Sequence, residues 1–175
     1  GAPVYERPRG EKVPGPAGVP TVWLMLLQYL QKEGKTLPDL RRLVIGGSAA
    51  PRSMIEAFER DFGVEVIHAW GMTEMSPLGS LGSMKPCADD LAAEAVLDLK
   101  SKQSFAPFTV EMKITDDAGK PLPWDGKAFG RLKVAGPAVA KAYFRVEDHI
   151  LDEEGFFDTG DVATIDANGY MQITD

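Results

Sequence analysis

The sequence predicts an α/β chain, a parallel βαβ part followed by a small antiparallel β-barrel subdomain. Leu43-Val44-Ile45 and Val64-Glu65-Val66-Ile67-His68-Ala69-Trp70 are short apolar runs of strand type, and the stretch between them, 52–62, has a helical period. Strand, helix and strand at that spacing make a crossover unit, so the two strands should run parallel with a right-handed connection. From about Phe108 onward, β-branched runs alternate with turn residues, and Asn168-Gly169 between two such runs is a strong hairpin signal.

The elements follow in order. Residues 1–16 hold Pro3, Pro8, Pro14 and Pro16, which forbid a regular helix of any length, and read as an irregular arm. A helix is expected over 21–33, with Pro20 before it and Gly34 after it as start and stop signals. Val22, Trp23, Leu24, Met25, Leu26, Leu27, Tyr29 and Leu30 cover nearly the whole circumference of its first turns, so it should be buried on most sides. The helix over 52–62 instead gathers Met54, Ile55, Phe58 and Phe62 on one face. Residues 87–103 form a mixed-charge connection with helical stretches. Strands are expected at 109–115, 130–134, 162–165 and 170–174, with turns at 116–120 and 166–169. The division expected is an arm (1–16), an α/β subdomain (17–107) and a β-barrel-like subdomain (108–175).

Composition removes several function classes. At 175 residues the chain can bury about two-thirds of its unfolded surface without staples. No run approaches the ~18 apolar residues of a membrane span, and Gly1-Ala2-Pro3-Val4-Tyr5 has no apolar signal-peptide core. The single cysteine, Cys87, excludes an internal disulfide and points to a reducing, cytoplasmic setting. A net charge of −7 argues against a nucleic-acid partner. It admits a small anionic ligand only where backbone N–H groups or a cation receive it.

Ligands of open parallel sheets sit beyond the carboxyl ends of the strands, and both such ends carry distinctive residues. After Ile45 comes Gly46-Gly47-Ser48-Ala49-Ala50-Pro51, whose small side chains leave room for a flat ligand against main chain; a plain tight turn is the alternative. After Ala69 comes Trp70-Gly71-Met72-Thr73-Glu74. There an aromatic can stack on a base, a hydroxyl can bond a phosphate oxygen and a carboxylate can hold a hard cation such as Mg²⁺; a helix opening is the alternative. A third segment, Asp158-Thr159-Gly160-Asp161, lacks the second copy that an aspartic-protease loop would need. Asp161, expected at the mouth of a strand, can accept ribose hydroxyls or simply cap a turn. His68, in an apolar strand, reads as a packed core histidine, with a base beside the loop as the alternative.

Taken in order, the small-residue loop, Trp70-Gly71-Met72-Thr73-Glu74 and the distant Thr159-Gly160-Asp161 resemble the adenylate-forming superfamily of acyl-CoA synthetases, peptide-synthetase adenylation domains and luciferases. Ala17-Gly18-Val19-Pro20-Thr21-Val22-Trp23 and Trp124-Asp125-Gly126-Lys127-Ala128-Phe129-Gly130-Arg131 are most similar to the fatty-acyl-CoA synthetase branch. Gly130-Arg131-Leu132 with Gly136-Pro137 and Tyr143 matches a further, structural signature. The resemblance implies the α/β and barrel parts of the family's large domain, and an ATP-dependent fatty-acid:CoA ligase that forms an acyl-adenylate and then acyl-CoA. It implies ATP/AMP, Mg²⁺ and CoA as cofactors. By the same resemblance Gly47, Ser48, Ala49, Ala50, Pro51, Ala69, Trp70, Gly71, Met72 and Asp161 bind the nucleotide, with Trp70 on adenine and Asp161 on the ribose. Thr73 and Glu74 are the catalytic pair, Thr73 on the α-phosphate and Glu74 on Mg²⁺. Gly46, Val22 and Trp23 are weaker candidates for lining the acyl group, Trp23 also reading as core. The family's Ser/Thr/Gly-rich phosphate loop and small carboxy-terminal domain have no match here, so the chain is expected to be the middle portion of a larger enzyme, inactive alone. A remnant that binds AMP weakly, and an adenylation domain for another carboxylic acid, are the alternatives. Small-molecule substrates are the expected partners, and the reading permits a homodimer and loose membrane association.

Overall fold

The computed structural model describes residues 4–6, 15–82, 84–147 and 149–174. Of the expected irregular arm, residues 1–3 and 7–14 lie outside these; Val4, Tyr5 and Glu6 are helical, and Tyr5 is buried with its ring 5.6 Å from that of Tyr29. The chain packs as two compact units, Gly1–Ala69 with Gly82–Ser101, and Trp70–Leu81 with Lys102–Asp175.

In the first unit, strands β1 (Ala17–Gly18), β2 (Arg42–Ile45) and β3 (Glu65–Gly71, through Ala69) run parallel, with Val44 opposite Ala17 and Ile67, and Ile45 opposite His68. The parallel pairing of β2 and β3 is as the crossover spacing predicts. Helix α1 (Pro20–Glu33) starts on Pro20, whose missing N–H costs nothing in the first turn, and stops at Gly34 in the left-handed region (φ 60°). Helix α2 (Arg52–Phe62) likewise ends at Gly63 (φ 64°). Leu26, Leu43, Ile45, Ile55 and Phe58 have no exposed surface, and Trp23 meets Phe58 edge-on at 6.5 Å. Helix α1 is not buried on most sides. Leu24 and Met25 are 43% and 47% exposed, because a helix lying on a sheet buries only one stripe, here Trp23, Leu26, Leu27 and Leu30 at spacings of three and four. Helix α3 (Ala93–Ser101) is tied to α2 by Lys100 on Glu59 (2.5 Å) and by Arg52 on Glu94 (2.5 Å) and Asp98 (3.0 Å).

The second unit begins with the last two residues of β3 and continues to β4 (Leu78–Leu81). Its main body is the antiparallel sheet β5 (Glu111–Thr115), β6 (Phe129–Ala135), β7 (Phe157–Ile165) and β8 (Met171–Ile173), in that order. Among the described residues β5 and β8 both remain edges, so the barrel expected from the sequence is an open half-barrel. Alternation along the strands puts Ile114, Leu132, Ala163, Ile165 and Met171 in one apolar cluster. The β7–β8 hairpin turns where Asn168-Gly169 predicts it: Asp166 Oδ1 accepts the N–H groups of Asn168 and Tyr170, and Gly169 takes φ 83°.

Strand β7 departs from expectation. It begins at Phe157, not Val162, and takes in Asp158-Thr159-Gly160-Asp161. Arg131 pairs with Val162 and Lys133 with Asp158, so Leu132 alone faces Thr159, Gly160 and Asp161. Gly160, at φ 80°, makes this β-bulge feasible.

Candidate functional site

In the second unit, β3 ends on Trp70 and Gly71. A Cβ on Gly71 would fall 1.9 Å from the Pro77 carbonyl oxygen, so only glycine lets the chain double back there. Met72 is extended and half-buried, and Thr73–Met75 form one turn of 3₁₀-helix that leaves Thr73 exposed. A Cβ on Gly79 would fall 2.2 Å from Trp70 Cζ3, so the absent side chain is what admits the indole. The indole N–H donates to Asp161 Oδ2 at 3.0 Å, across 91 residues of sequence.

Asp161 therefore lies inside the β7 bulge, not at a strand mouth. A bulge re-aims a side chain that regular pleating would have paired across the ladder. The bulge is braced from within: Asp161 N–H donates to Thr159 Oγ1 (3.2 Å), whose hydroxyl donates to the Leu132 carbonyl (2.9 Å). Asp158 accepts from Gly160 N–H (3.0 Å) and from Arg131 Nε (2.8 Å). Burial pushes the Asp161 carboxyl above its ordinary value, and the Trp70 hydrogen bond offsets part of that rise.

Glu74, half-buried, accepts a hydrogen bond from the Tyr143 hydroxyl at 2.7 Å through Oε1, while its own carbonyl accepts from Ala140 N–H at 2.7 Å. Ser76 Oγ donates to the Ala138 carbonyl at 3.1 Å. Residues 138–143 thus latch onto the Thr73–Met75 turn. Tyr143, part of a structural signature in the sequence, joins the candidate site through this bond; a contact across 69 residues has no local signal. Among the described residues no group of three or more His, Cys, Asp or Glu could hold a metal by itself.

In the first unit, the loop after β2 exposes Gly47, Ser48, Ala49 and Pro51 and buries Ala50. Gly46 donates to the Gly18 carbonyl (3.2 Å), and a Cβ on it would lie 3.2 Å from the carbonyl oxygen of Ala69, itself half-buried. Gly47 takes φ 84°. Ala50 N–H donates to His68 Nε2 at 3.2 Å. His68 is 2% exposed and accepts through that nitrogen, so it is the packed core histidine of the two readings and also the brace of the loop. Trp23 is core: 2% exposed, its N–H shared by the carbonyls of Gly18 (3.1 Å) and Val44 (3.0 Å). Its indole offers no surface to an acyl group, and Val22 beside it is half-buried.

Residues 9–144 match the AMP-binding enzyme family. The 3-methylmercaptopropionyl-CoA ligase of Ruegeria pomeroyi is 47% identical over 90% of this chain and 29% of its own length. The long-chain-fatty-acid–CoA ligase of Thermus thermophilus is 45% identical over 95% of this chain and 31% of its own. Among solved structures, O-succinylbenzoate coenzyme A synthetase from Bacillus subtilis, in complex with AMP, superposes with a TM-score of 0.79 at 25% identity, over 99% of this chain and 33% of that one. The chain spans about three-tenths of the length of the curated relatives it matches. A family match running from residue 9 to residue 144 on this α/β fold makes the chain a member of the AMP-binding enzyme family.

Proposed function

We propose that these residues are the nucleotide-binding portion of an ATP-dependent acyl-CoA ligase that activates a fatty acid as its acyl-adenylate and transfers the acyl group to CoA. The observation that carries the reading is that, within one unit, the segment from Trp70 to Glu74 meets two remote residues, Asp161 at Trp70 and Tyr143 at Glu74. Trp70 offers a ring face to adenine and Asp161 accepts the ribose hydroxyls. Thr73, exposed on its turn, donates to the α-phosphate. Within the first unit, the small, exposed loop from Gly47 to Pro51 and Ala69 are further nucleotide candidates, and within the second unit so are Gly71 and Met72.

The residues present fit Mg²⁺. This cation is held by one or two carboxylates together with substrate phosphates and water, and Glu74 supplies one carboxylate oriented through Oε1 by Tyr143. When bound, Mg²⁺ neutralises charge that builds on the phosphoryl oxygens. The protein's part is positioning: Tyr143 and Ala140 hold Glu74, and the bulge holds Asp161. Attack of the substrate carboxylate on the α-phosphorus then expels pyrophosphate, and the CoA thiolate displaces AMP from the acyl carbon. Fatty acid is favoured over an amino acid with its charged amine because α1 carries no acid or base before Lys32.

The test is carboxylate-dependent exchange of labelled pyrophosphate into ATP by the full-length protein, comparing octanoate, palmitate and 3-methylmercaptopropionate. Exchange with the fatty acids supports the reading. Exchange with 3-methylmercaptopropionate alone corrects the substrate, and exchange with none of a broad carboxylate panel overturns the reaction. The short span relative to the relatives favours a second reading for the 175 residues alone, a non-catalytic module that binds AMP weakly. Calorimetry with AMP tests it, and turnover by the isolated chain would refute it.

A further inference from the structure

We propose that the indole N–H of Trp70 is a positioning device for Asp161, so that the residue facing the base also sets the residue that grips the ribose. This rests on the nucleotide assignment above and deepens it. Three features point the same way. The N–H to carboxylate distance is 3.0 Å, and among the described residues the Asp161 side chain accepts no other hydrogen bond. Among the described residues, burial raises that carboxyl and the indole hydrogen bond lowers it. The indole itself is fixed, since Gly79 leaves room for its benzo edge and the ring packs with the apolar clusters around Val134 and Ile114.

Asp161 needs such a partner. It sits on a bulge whose neighbour Gly160 is at φ 80°, and the bracing of that bulge runs through the Asp161 backbone N–H and the Thr159 hydroxyl, which leaves the orientation of the carboxylate to a partner of its own. A carboxylate on such a segment, if left to itself, would sample several rotamers and present its oxygens to two hydroxyls only part of the time. A hydrogen bond to a charged acceptor is strong enough to select one of them. Phenylalanine at position 70 would keep a π face for the base but bring no donor to this point. Tyrosine would carry its hydroxyl on the far end of the ring. The indole alone among the aromatic side chains combines a broad stacking face with a lateral N–H donor.

The decisive comparison is between the wild-type full-length protein, Trp70→Phe, and a variant in which the Trp70 indole is replaced by the isosteric benzothiophene, which keeps the shape and loses only the N–H. Binding of AMP, 2′-deoxy-AMP and 3′-deoxy-AMP is measured by calorimetry, and the Asp161 carboxyl is titrated by ¹³C NMR. The expected result is a fall of about tenfold in the preference for AMP over the deoxynucleotides, with binding of the deoxynucleotides themselves little changed. The Asp161 carboxyl should titrate higher in the benzothiophene variant than in the wild type. A preference unchanged in both variants overturns the inference while leaving the nucleotide assignment standing. A carboxyl that moves while the preference does not overturns the link to the ribose. A wild-type protein that binds none of the three nucleotides overturns the assignment itself, and this inference with it.

Discussion

The loop after β2 and the segment after β3 occupy equivalent places, each following the carboxyl end of a parallel strand, yet they are held by different means. The first is built from small residues and fastened through main chain: Gly46 to Gly18, and Ala50 to the ring of His68. The second has a main-chain tie, Ala140 N–H to the Glu74 carbonyl, and is further fastened by side chains that meet remote segments, Tyr143 to Glu74 and Trp70, at the end of β3, to Asp161. A main-chain tether leaves a loop's side chains interchangeable as long as they stay small. A side-chain tether makes the identity of both partners matter, and the candidate residues Glu74 and Asp161 sit on the side that is tethered in this way.

The sharpest way to break this contrast is at the glycines. Gly71→Ala should destabilise by about 3 kcal/mol or more, because its Cβ would fall 1.9 Å from a carbonyl oxygen and backbone must yield. Gly46→Ala, with 3.2 Å to the nearest oxygen, should cost about 1 kcal/mol. Equal shifts in urea midpoint for the two variants would remove the distinction. Next in size, His68→Leu should cost about 2 kcal/mol by leaving the buried Ala50 N–H without its acceptor. Amide exchange at Ala50 should accelerate more than the global loss accounts for, and unchanged protection would show that the loop is held some other way.

A smaller effect is confined to the antiparallel unit. Burial alone would raise the Asp152 carboxyl, but hydrogen bonds from Lys133 and the Phe156 N–H, with the charges of Lys133 and Lys113, bring it down to about 2. A depressed carboxyl contributes stability that is present above its ordinary value and lost as the pH falls through the depressed one. Asp152 should therefore contribute a loss of about 1 kcal/mol between pH 4 and pH 2 in urea titrations, and Asp152→Asn should make that slope shallower by the same amount. Smallest in stability is Tyr143→Phe, for which no shift of the urea midpoint is expected. The full-length protein carrying it should require about tenfold more Mg²⁺ for half-maximal pyrophosphate exchange; an unchanged requirement would reduce Tyr143 to packing.

The sequence was most legible where structure is local. Helix α2 begins and ends at the residues that periodicity predicts, β2 and β3 pair in parallel, and the Asn168-Gly169 turn closes a hairpin. It misled where one pattern serves two environments: the apolar residues of α1 suggest burial all round, but Leu24 and Met25 face outward. The two-residue β1 escaped notice because Ala17-Gly18 has no strand propensity of its own and exists through pairing with Val44 and Ile45. At the candidate site the residue types stood out in sequence, while their arrangement did not. Neither the bulge that houses Asp161 nor the Tyr143 hydrogen bond has a local signature, since each depends on a partner strand or a contact across 69 residues.

The bulge also has a bearing on how this strand tolerates changes in length. Opposite Leu132 it holds three residues where a regular ladder would have one, and the excess is an even number. Inward and outward positions therefore keep the same phase on both sides of it: Phe157 before it and Ala163 and Ile165 after it all point into the core. Removing one residue from Thr159-Gly160-Asp161 would invert one half of the strand and turn its apolar side chains to solvent. Removing two would restore an unbroken ladder with the core intact. Among deletion variants, then, the shorter chain should be the better folded one, and it would have traded away the place where Asp161 stands.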